Sequence, residues 1–252
     1  MDGITGTTAI VTGGSTGIGR AAARRFAEEG ANVVVADVNV EDAERTVEMI
    51  TDAGGEATFA ETDVSDPTAV EAMVETAIET YGGLDFAFNN AGIEGDDVPA
   101  PDQSMDNWER VIGVNLKGVF LGMKYEIPAM LEDGGGAIVN NASIAGVVGF
   151  PNLLPYVASK HGVVGMTKAT ALEFSGEGVR VNAVCPGVIE TPMLERSIEK
   201  TPEMEDNLVA ATPIGRLGEA NEIGDAAVWL CSEEASFVTG ESLVIDGGYV
   251  AQ

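Results

Sequence analysis

From residue 7 to residue 248 the chain alternates short apolar runs with helical patterns, and that rhythm leaves few folds open. The runs "TTAIVTG" (7–13), "NVVVAD" (32–37), part of "EATFAETDV", "LDFAFNNAG" (84–92), "GAIVNNAS" (136–143), "VRVNAVCPG" (179–187) and "ESLVIDGG" (241–248) read as strands. Between them, "GRAAARRFAEEG" (19–30), "VEDAERTVEMITDAG" (40–54), "DPTAVEAMVETAIETYG", "WERVIGVNLKGVFLGMKYEIPAM" and residues 155–174 predict helices. Glycine closes the first two, and Asp66 with Pro67 opens the third as N-cap and first helical residue. Strict β/α alternation demands a parallel sheet covered on both faces and joined by right-handed crossovers. The 252 residues suit one large α/β domain spanning 1–252, with no linker or repeat to divide it. One segment breaks the rhythm. Residues 190–218 carry Thr191-Pro192, Thr201-Pro202 and Thr212-Pro213, and a break of that length between sheet elements predicts a lid or binding segment.

Composition narrows the function. At 45% hydrophobic and 21% charged residues the chain has ample material for a core. No window approaches eighteen apolar residues, and the N-terminus lacks the basic-then-apolar order of a signal peptide, so neither membrane nor export is expected. Cys185 and Cys231 are too far apart for a metal pair or a disulfide framework, and a lone histidine, His161, excludes a multi-histidine metal centre. A reduced, cytoplasmic protein without a metal is the expectation. Lys and Arg number 13 against 41 Asp and Glu, a net charge of −28. Such a surface repels nucleic acid and anionic lipid. The acids are scattered rather than gathered in a tail, which points to adaptation to high salt, where ions screen self-repulsion.

"IVTGGSTGIGR" lies between the first strand and the first helix. Gly13, Gly17 and Gly19 there let the backbone turn tightly and approach a pyrophosphate, while the helix start offers free N–H groups and a partial positive charge. A glycine triplet alone is weak, but this one follows a strand and opens a helix. Asp37 closes the second strand, where a carboxylate accepts hydrogen bonds from the ribose hydroxyls of NAD and repels the 2′-phosphate of NADP. Val38, not an arginine, follows it, so NAD is expected, with NADP second; Arg20 is the one nearby group that would help a phosphate.

The ordered set "TGGSTGIG" (12–19), "DV" (63–64), "NNAG" (89–92), Asn115 in "GVNLKG", Ser143 in "NNASIAG", "YVASK" (156–160), "NAVCPG" (182–187) and "IDGG" (245–248) resembles the short-chain dehydrogenase/reductase family over the full length. The resemblance implies a seven-stranded, doubly wound Rossmann-type parallel sheet and NAD(P)-dependent alcohol/carbonyl interconversion. It implies a catalytic set of Asn115, Ser143, Tyr156 and Lys160. It implies a cofactor cradle of Gly13, Ser15, Thr16, Gly17, Ile18, Gly19 and Asp37, with Asp63 and Val64 at the adenine. Asn89, Ala91 and Gly92 are implied along the cofactor channel, and Tyr156, Lys160, Pro186, Gly187, Ile189 and Thr191 at the nicotinamide end. It also implies a homotetramer whose main contact uses the helices of Asn115 and Tyr156.

Tyr156 and Lys160 stand one helical turn apart and share a face. Alone, such a pair is more often a solvated helix face; beside a nicotinamide it becomes a proton-transfer device. A tyrosine acting as a base near pH 7 needs a pKa shift of roughly 3 units, or about 4 kcal/mol. An ammonium about 4 Å away contributes on the order of 4 kcal/mol at an effective dielectric of about 20, while desolvation opposes it. Ser143, at a strand end, is suited to hold the substrate oxygen. Asn115 carries two readings: the family's, in which it anchors a water linking Lys160 to solvent, and a plain helix irregularity. The expected activity is NAD-dependent oxidation of a secondary alcohol or reduction of a ketone. A 3-oxoacyl thioester reductase and a non-catalytic NAD-binding regulator are the alternatives. Ile93, Glu94, Ile144, Val148, Phe150, Leu153 and Met193 are candidates for the substrate wall, mostly apolar and favouring a cyclic or hydrophobic alcohol.

Overall fold

The computed structural model describes residues 1–200 and 203–251, with backbone only at Ser197 and Lys200. Seven parallel strands form one sheet in the order β3-β2-β1-β4-β5-β6-β7. They are β1 (Thr8–Thr12), β2 (Asn32–Asp37), β3 (Glu56–Glu61), β4 (Phe86–Asn89), β5 (Gly136–Asn141), β6 (Val179–Pro186) and β7 (Ser242–Ile245). The last lies inside the run 241–248 and ends where Gly247 and Gly248 take φ of +60° and +89° and turn the chain out of the sheet. The strands are apolar at successive positions because both faces are covered. In β2, Val33 and Val35 pack on one side and Val34 and Ala36 on the other, all nearly inaccessible to solvent.

One face carries α1 (Gly17–Glu28), α2 (Val40–Asp52) and α9 (Ala220–Cys231); the other carries α3 (Pro67–Tyr81), α4 (Met105–Ile112), α5 (Gly118–Glu132) and α6 (Leu154–Phe174). Asp66 caps α3 by accepting from Thr68 N at 2.9 Å, with Pro67 in the first turn, as the sequence predicts. α4 and α5 form the expected long helix, but a five-residue π turn at Gly113–Lys117 widens it around Asn115. The predicted break at 190–218 is a helical excursion holding α7 (Pro192–Lys200) and α8 (Glu203–Ala211). Its base is pinned by a parallel bridge between Ile189 and Gly218, with Glu190 N donating to Gly218 O at 2.8 Å. Thr201-Pro202 lies outside the described residues.

β1 is the point where the strand order reverses, with β2 on one side and β4 on the other. The loops leaving the carboxyl ends of these strands diverge there and open a crevice, which is where open α/β sheets bind ligands.

Candidate active site

The crevice is a cleft of about 740 Å³ running over the carboxyl edge of the sheet. At one end is the loop between β1 and α1. Gly13 and Gly17 take φ of +64° and +51°, a region other residues enter at a cost. A Cβ on Gly19 would lie 2.0 Å from Gly13 O, so only glycine lets α1 start this close to the strand. Thr16 makes no side-chain cap and the first turn of α1 holds no acid, which leaves its N–H groups and dipole for an external anion. Asn90 braces the loop from β4, donating to Thr12 O at 2.9 Å and Gly13 O at 3.3 Å. Asp37 accepts from Ser15 N at 3.1 Å and Asn39 N at 2.9 Å, which fixes its carboxylate against the loop. Arg20 is turned away from the cleft: it donates to Thr46 Oγ1 at 3.0 Å and pairs with Asp42 at 3.7 Å. Open backbone cradle, uncapped helix start and fixed carboxylate together fit a dinucleotide.

The other end is built by β5, β6, α6 and the excursion. Tyr156 and Lys160 line the cleft from α6, and Lys160 Nζ stands 5.6 Å from the Tyr156 ring centroid. The amine donates to Asn141 O at 2.7 Å, and burial pushes its pKa down to about 8. Burial raises the Tyr156 pKa, the nearby Ser143 hydroxyl lowers it, and the Glu94 carboxylate raises it. Ser143 follows β5 and its Oγ accepts from Ala145 N at 3.1 Å. That contact uses a lone pair and leaves the hydroxyl hydrogen for something in the cleft.

Asn115 lies behind the wall, fully buried. Its Oδ1 accepts from Ile93 N and its Nδ2 donates to Ile93 O, both at 2.8 Å. A Cβ on Gly92 would lie 3.4 Å from Asn115 Oδ1 and 3.7 Å from Lys160 Nζ, so amide and ammonium approach the same glycine. Ser159, which the sequence reading passes over, joins these elements: its Oγ donates to Tyr156 O at 2.7 Å and accepts from Asn115 Nδ2 at 3.3 Å.

Of the expected cofactor residues, Gly13, Ser15, Thr16, Gly17, Ile18, Asp37, Asp63, Val64, Ala91, Gly92, Pro186, Gly187, Ile189 and Thr191 line this one cleft, as do Ser143, Tyr156 and Lys160. Gly19 sits beneath the loop rather than on the cleft. Asn89 departs from the expected channel position: its Nδ2 donates to Glu126 Oε2 at 3.0 Å and Asn140 Oδ1 at 3.2 Å, inside the core under α5. Strand alternation is the signal that finds this, because Asn89 shares a face with Ala87, which packs in the same core layer as α5 and α6. Its neighbour Asn90 takes the place on the cleft. On the substrate wall Ile93, Glu94, Ile144, Phe150, Leu153 and Met193 are present and Val148 is not. Leu194, Met204 and Leu208 add to it from α7 and α8.

A family model described as enoyl-(acyl carrier protein) reductase matches residues 13–250. Cyclohexanol dehydrogenase of Acinetobacter sp. (strain SE19) is 46% identical over 244 residues, covering 97% of this chain and 95% of that protein. The 2,5-dichloro-2,5-cyclohexadiene-1,4-diol dehydrogenase of Sphingobium indicum is 45% identical over 252 residues, covering 100% of both. The crystal structure of levodione reductase superimposes with a TM-score of 0.94 at 40% identity, covering 98% of each chain. Likeness at this level over nearly every residue joins the chain to these enzymes by ancestry as well as architecture: it belongs to the short-chain dehydrogenase/reductase family and is an oxidoreductase acting on CH–OH groups.

Proposed function

We propose that the protein interconverts a secondary alcohol and its ketone with NAD, Tyr156 moving the proton. The observation that carries this is the convergence, in one cleft with the phosphate loop, of a phenol and an ammonium from one face of α6 and a serine hydroxyl from the end of β5. When bound, the nicotinamide supplies the hydride acceptor or donor.

The chain's own residues supply the rest. The Ser143 hydroxyl, beside the Tyr156 phenol, donates to the substrate oxygen and steadies the charge that grows there. In the oxidation direction Tyr156, as phenolate, accepts the hydroxyl proton; in reduction the phenol returns it to the ketone oxygen. Burial alone disfavours the phenolate. A charge 5.6 Å from the ring offsets this by about 3 kcal/mol at an effective dielectric of about 20. That falls below the roughly 4 kcal/mol a neutral-pH base requires, so the charge of Lys160 helps without being sufficient alone. Asn115 holds the backbone of Ile93 and so sets the wall beside Lys160.

Asp37 favours NAD over NADP, and among the described residues no basic side chain lines the cleft beside it at the adenosine end. Among the described residues, the basic groups lining the cleft are Lys160 and Arg196, the latter on α7. The same feature weighs against a 3-oxoacyl thioester reductase. The excursion at 190–218 acts as the lid: Thr191 already lies 3.2 Å from where a Gly17 Cβ would be. An apolar wall and two relatives whose names denote six-membered-ring alcohols favour a cyclic secondary alcohol. The homotetramer, too, is part of the proposal, supported by Phe120 on α5 and Leu172 on α6, exposed to 50% and 88%. A cytoplasmic location fits two buried, unpaired cysteines. Among the described residues no helix is long and apolar enough to cross a membrane.

The test is cofactor reduction, followed by the absorbance of the reduced nicotinamide, over a panel of cyclic and open-chain secondary alcohols, with NAD⁺ and NADP⁺, at low and high salt. Turnover of cyclic secondary alcohols with NAD⁺ is expected. Cofactor binding with no turnover of any alcohol or ketone would leave a regulator instead.

A further inference from the structure

Two loops form the rim of the cleft's substrate end: residues 91–97, which follow β4, and residues 150–153, which lead into α6. Ile93, Glu94 and Asp97 line the cleft from the first, and Phe150, Asn152 and Leu153 from the second. One amide ties them together. Gln103, half-buried just ahead of α4, donates from Nε2 to Val98 O at 2.7 Å and to Asn152 O at 3.0 Å, and a third carbonyl, Asp96 O, lies at 3.4 Å. Val98 N reaches the same Asn152 O at 3.2 Å. The far end of the Gln103 amide is fixed as well: its Oε1 accepts from Asn107 Nδ2 at 2.7 Å, and Asn107 is buried on α4. Asn107 Oδ1 accepts from Asp96 N at 3.1 Å, so the first loop is held twice.

The second loop takes a costly path to meet this amide. Asn152 has φ of +67°, and among the described residues it is the only one besides glycines in the left-handed region. Such a conformation persists where its surroundings hold it. Here the hold is Asn152 O, gripped by Gln103 and Val98. Just downstream the chain enters α6, with Val157 N donating to Leu153 O at 2.9 Å; upstream the Phe150 and Tyr249 rings meet at 6.2 Å between centroids. The segment 150–153 is thus anchored at both ends, and Gln103 sets how near it stands to the loop after β4.

We propose that Gln103 is a positioning residue that limits substrate bulk: by tying Asn152 to Val98 it fixes the separation of the two rims, and with it the largest alcohol that reaches Tyr156. Gln103 does not line the cleft and acts only through the two loops. The proposal rests on the reading that the alcohol occupies this end of the cleft, and it adds a specificity determinant to that reading. The catalytic face of α6 is held separately, by Ser159 Oγ on Tyr156 O and Lys160 Nζ on Asn141 O. Loss of the tie should therefore change which alcohols enter more than how fast they react.

The test compares the wild type with Gln103→Met, which keeps the length and removes both donors, on the best secondary alcohol of the panel above and on its tert-butyl-bearing analogue. In Gln103→Met, kcat/KM for the bulky analogue relative to the parent alcohol should rise by about tenfold. The change should lie mainly in KM, with kcat for the parent staying within about threefold of the wild type. Gln103→Glu keeps the shape but cannot donate, so it should shift the ratio as Gln103→Met does. Amide hydrogen exchange without cofactor or substrate supplies a second readout: residues 93–98 and 150–153 should both exchange faster in Gln103→Met, while the sheet does not. An unchanged ratio, an equal loss with both alcohols, or faster exchange in only one of the two segments would overturn the proposal. Wild-type turnover of no alcohol in the panel would instead overturn the dehydrogenase reading, and the exchange measurement would still decide whether Gln103 ties the loops.

Discussion

Among the described residues, Glu126 is the one acid that the fold buries completely, and it makes stability depend on pH in a calculable way. It is fully buried on α5; its Oε2 accepts from Asn89, and its Oε1 has no partner. Burial pushes its pKa up to about 7 from an ordinary 4.5, with the Asn89 hydrogen bond opposing the rise. The folded protein therefore keeps a proton that the unfolded chain releases. The stability this confers is fully present below pH 4.5, falls as pH rises from there, and is gone above about 7. The difference of about 2.5 units corresponds to about 3 kcal/mol. Glu126→Gln keeps the acceptor for Asn89 and cannot titrate. The unfolding free energy of Glu126→Gln minus that of the wild type should therefore rise by about 3 kcal/mol between pH 4.5 and 8, or roughly 6–12 °C in Tm. Urea unfolding of both proteins without cofactor at each pH measures this, since urea leaves ionic screening constant. The surface acids titrate alike in both proteins and cancel from the difference. A difference flat to within about 0.5 kcal/mol over that range would refute the reasoning, because it would mean that Glu126 has the same pKa folded and unfolded.

Tyr156→Phe should lower kcat by roughly 10²–10⁴ while leaving NAD binding, read by fluorescence titration, near that of the wild type; near-normal turnover would rule the phenol out as the proton carrier. The wild type should show a higher kcat/KM with NAD than with NADP, and Asp37→Asn should narrow the gap by about tenfold, since it removes the repulsion of a 2′-phosphate but keeps an acceptor for Ser15 N. A wild-type preference for NADP would contradict the role given to Asp37. With a net charge of −28, the melting temperature should climb from low to molar KCl as the screening length shrinks to about 3 Å. A flat or falling curve would show that the acidic surface has another origin.

The sheet was legible because parallel strands buried on both faces read as unbroken apolar runs, and glycine or an Asp-Pro cap marked the ends of several helices. What the sequence reading passes over is α9, where "ANEIGDAAVWLC" is interrupted by a glycine that looks like a break. That glycine is a packing residue: a Cβ on Gly224 would lie 2.9 Å from Ala22 N, so it lets α9 press against α1. The cleft residues were legible where a motif stands at a strand end, and not where the direction of a side chain decided. Asn89 and Asn90 are adjacent and chemically identical, yet one holds the core and the other the phosphate loop. Glu126 reads as an ordinary helix charge until its neighbours at i−4 and i+4, Gly122 and Met130, are seen to be buried with it.

Asn115 carries this furthest. The sequence supports two readings of it, a helix irregularity and a site residue, and they look like rivals. In the structure the irregularity is what gives the side chain its partner. An asparagine in a regular helix competes with the backbone ladder to no purpose. Within a five-residue π turn, Asn115 instead spends both ends of its amide on the two backbone groups of Ile93. Ile93 and its neighbour Gly92 line the cleft, so the distortion at Gly113–Lys117 fixes the stretch of wall beside Lys160. Straightening that turn, by whatever substitution, should therefore change which alcohols are accepted as well as how fast they react, and the ratio of kcat/KM between cyclic and open-chain secondary alcohols is the measurement that would reveal it.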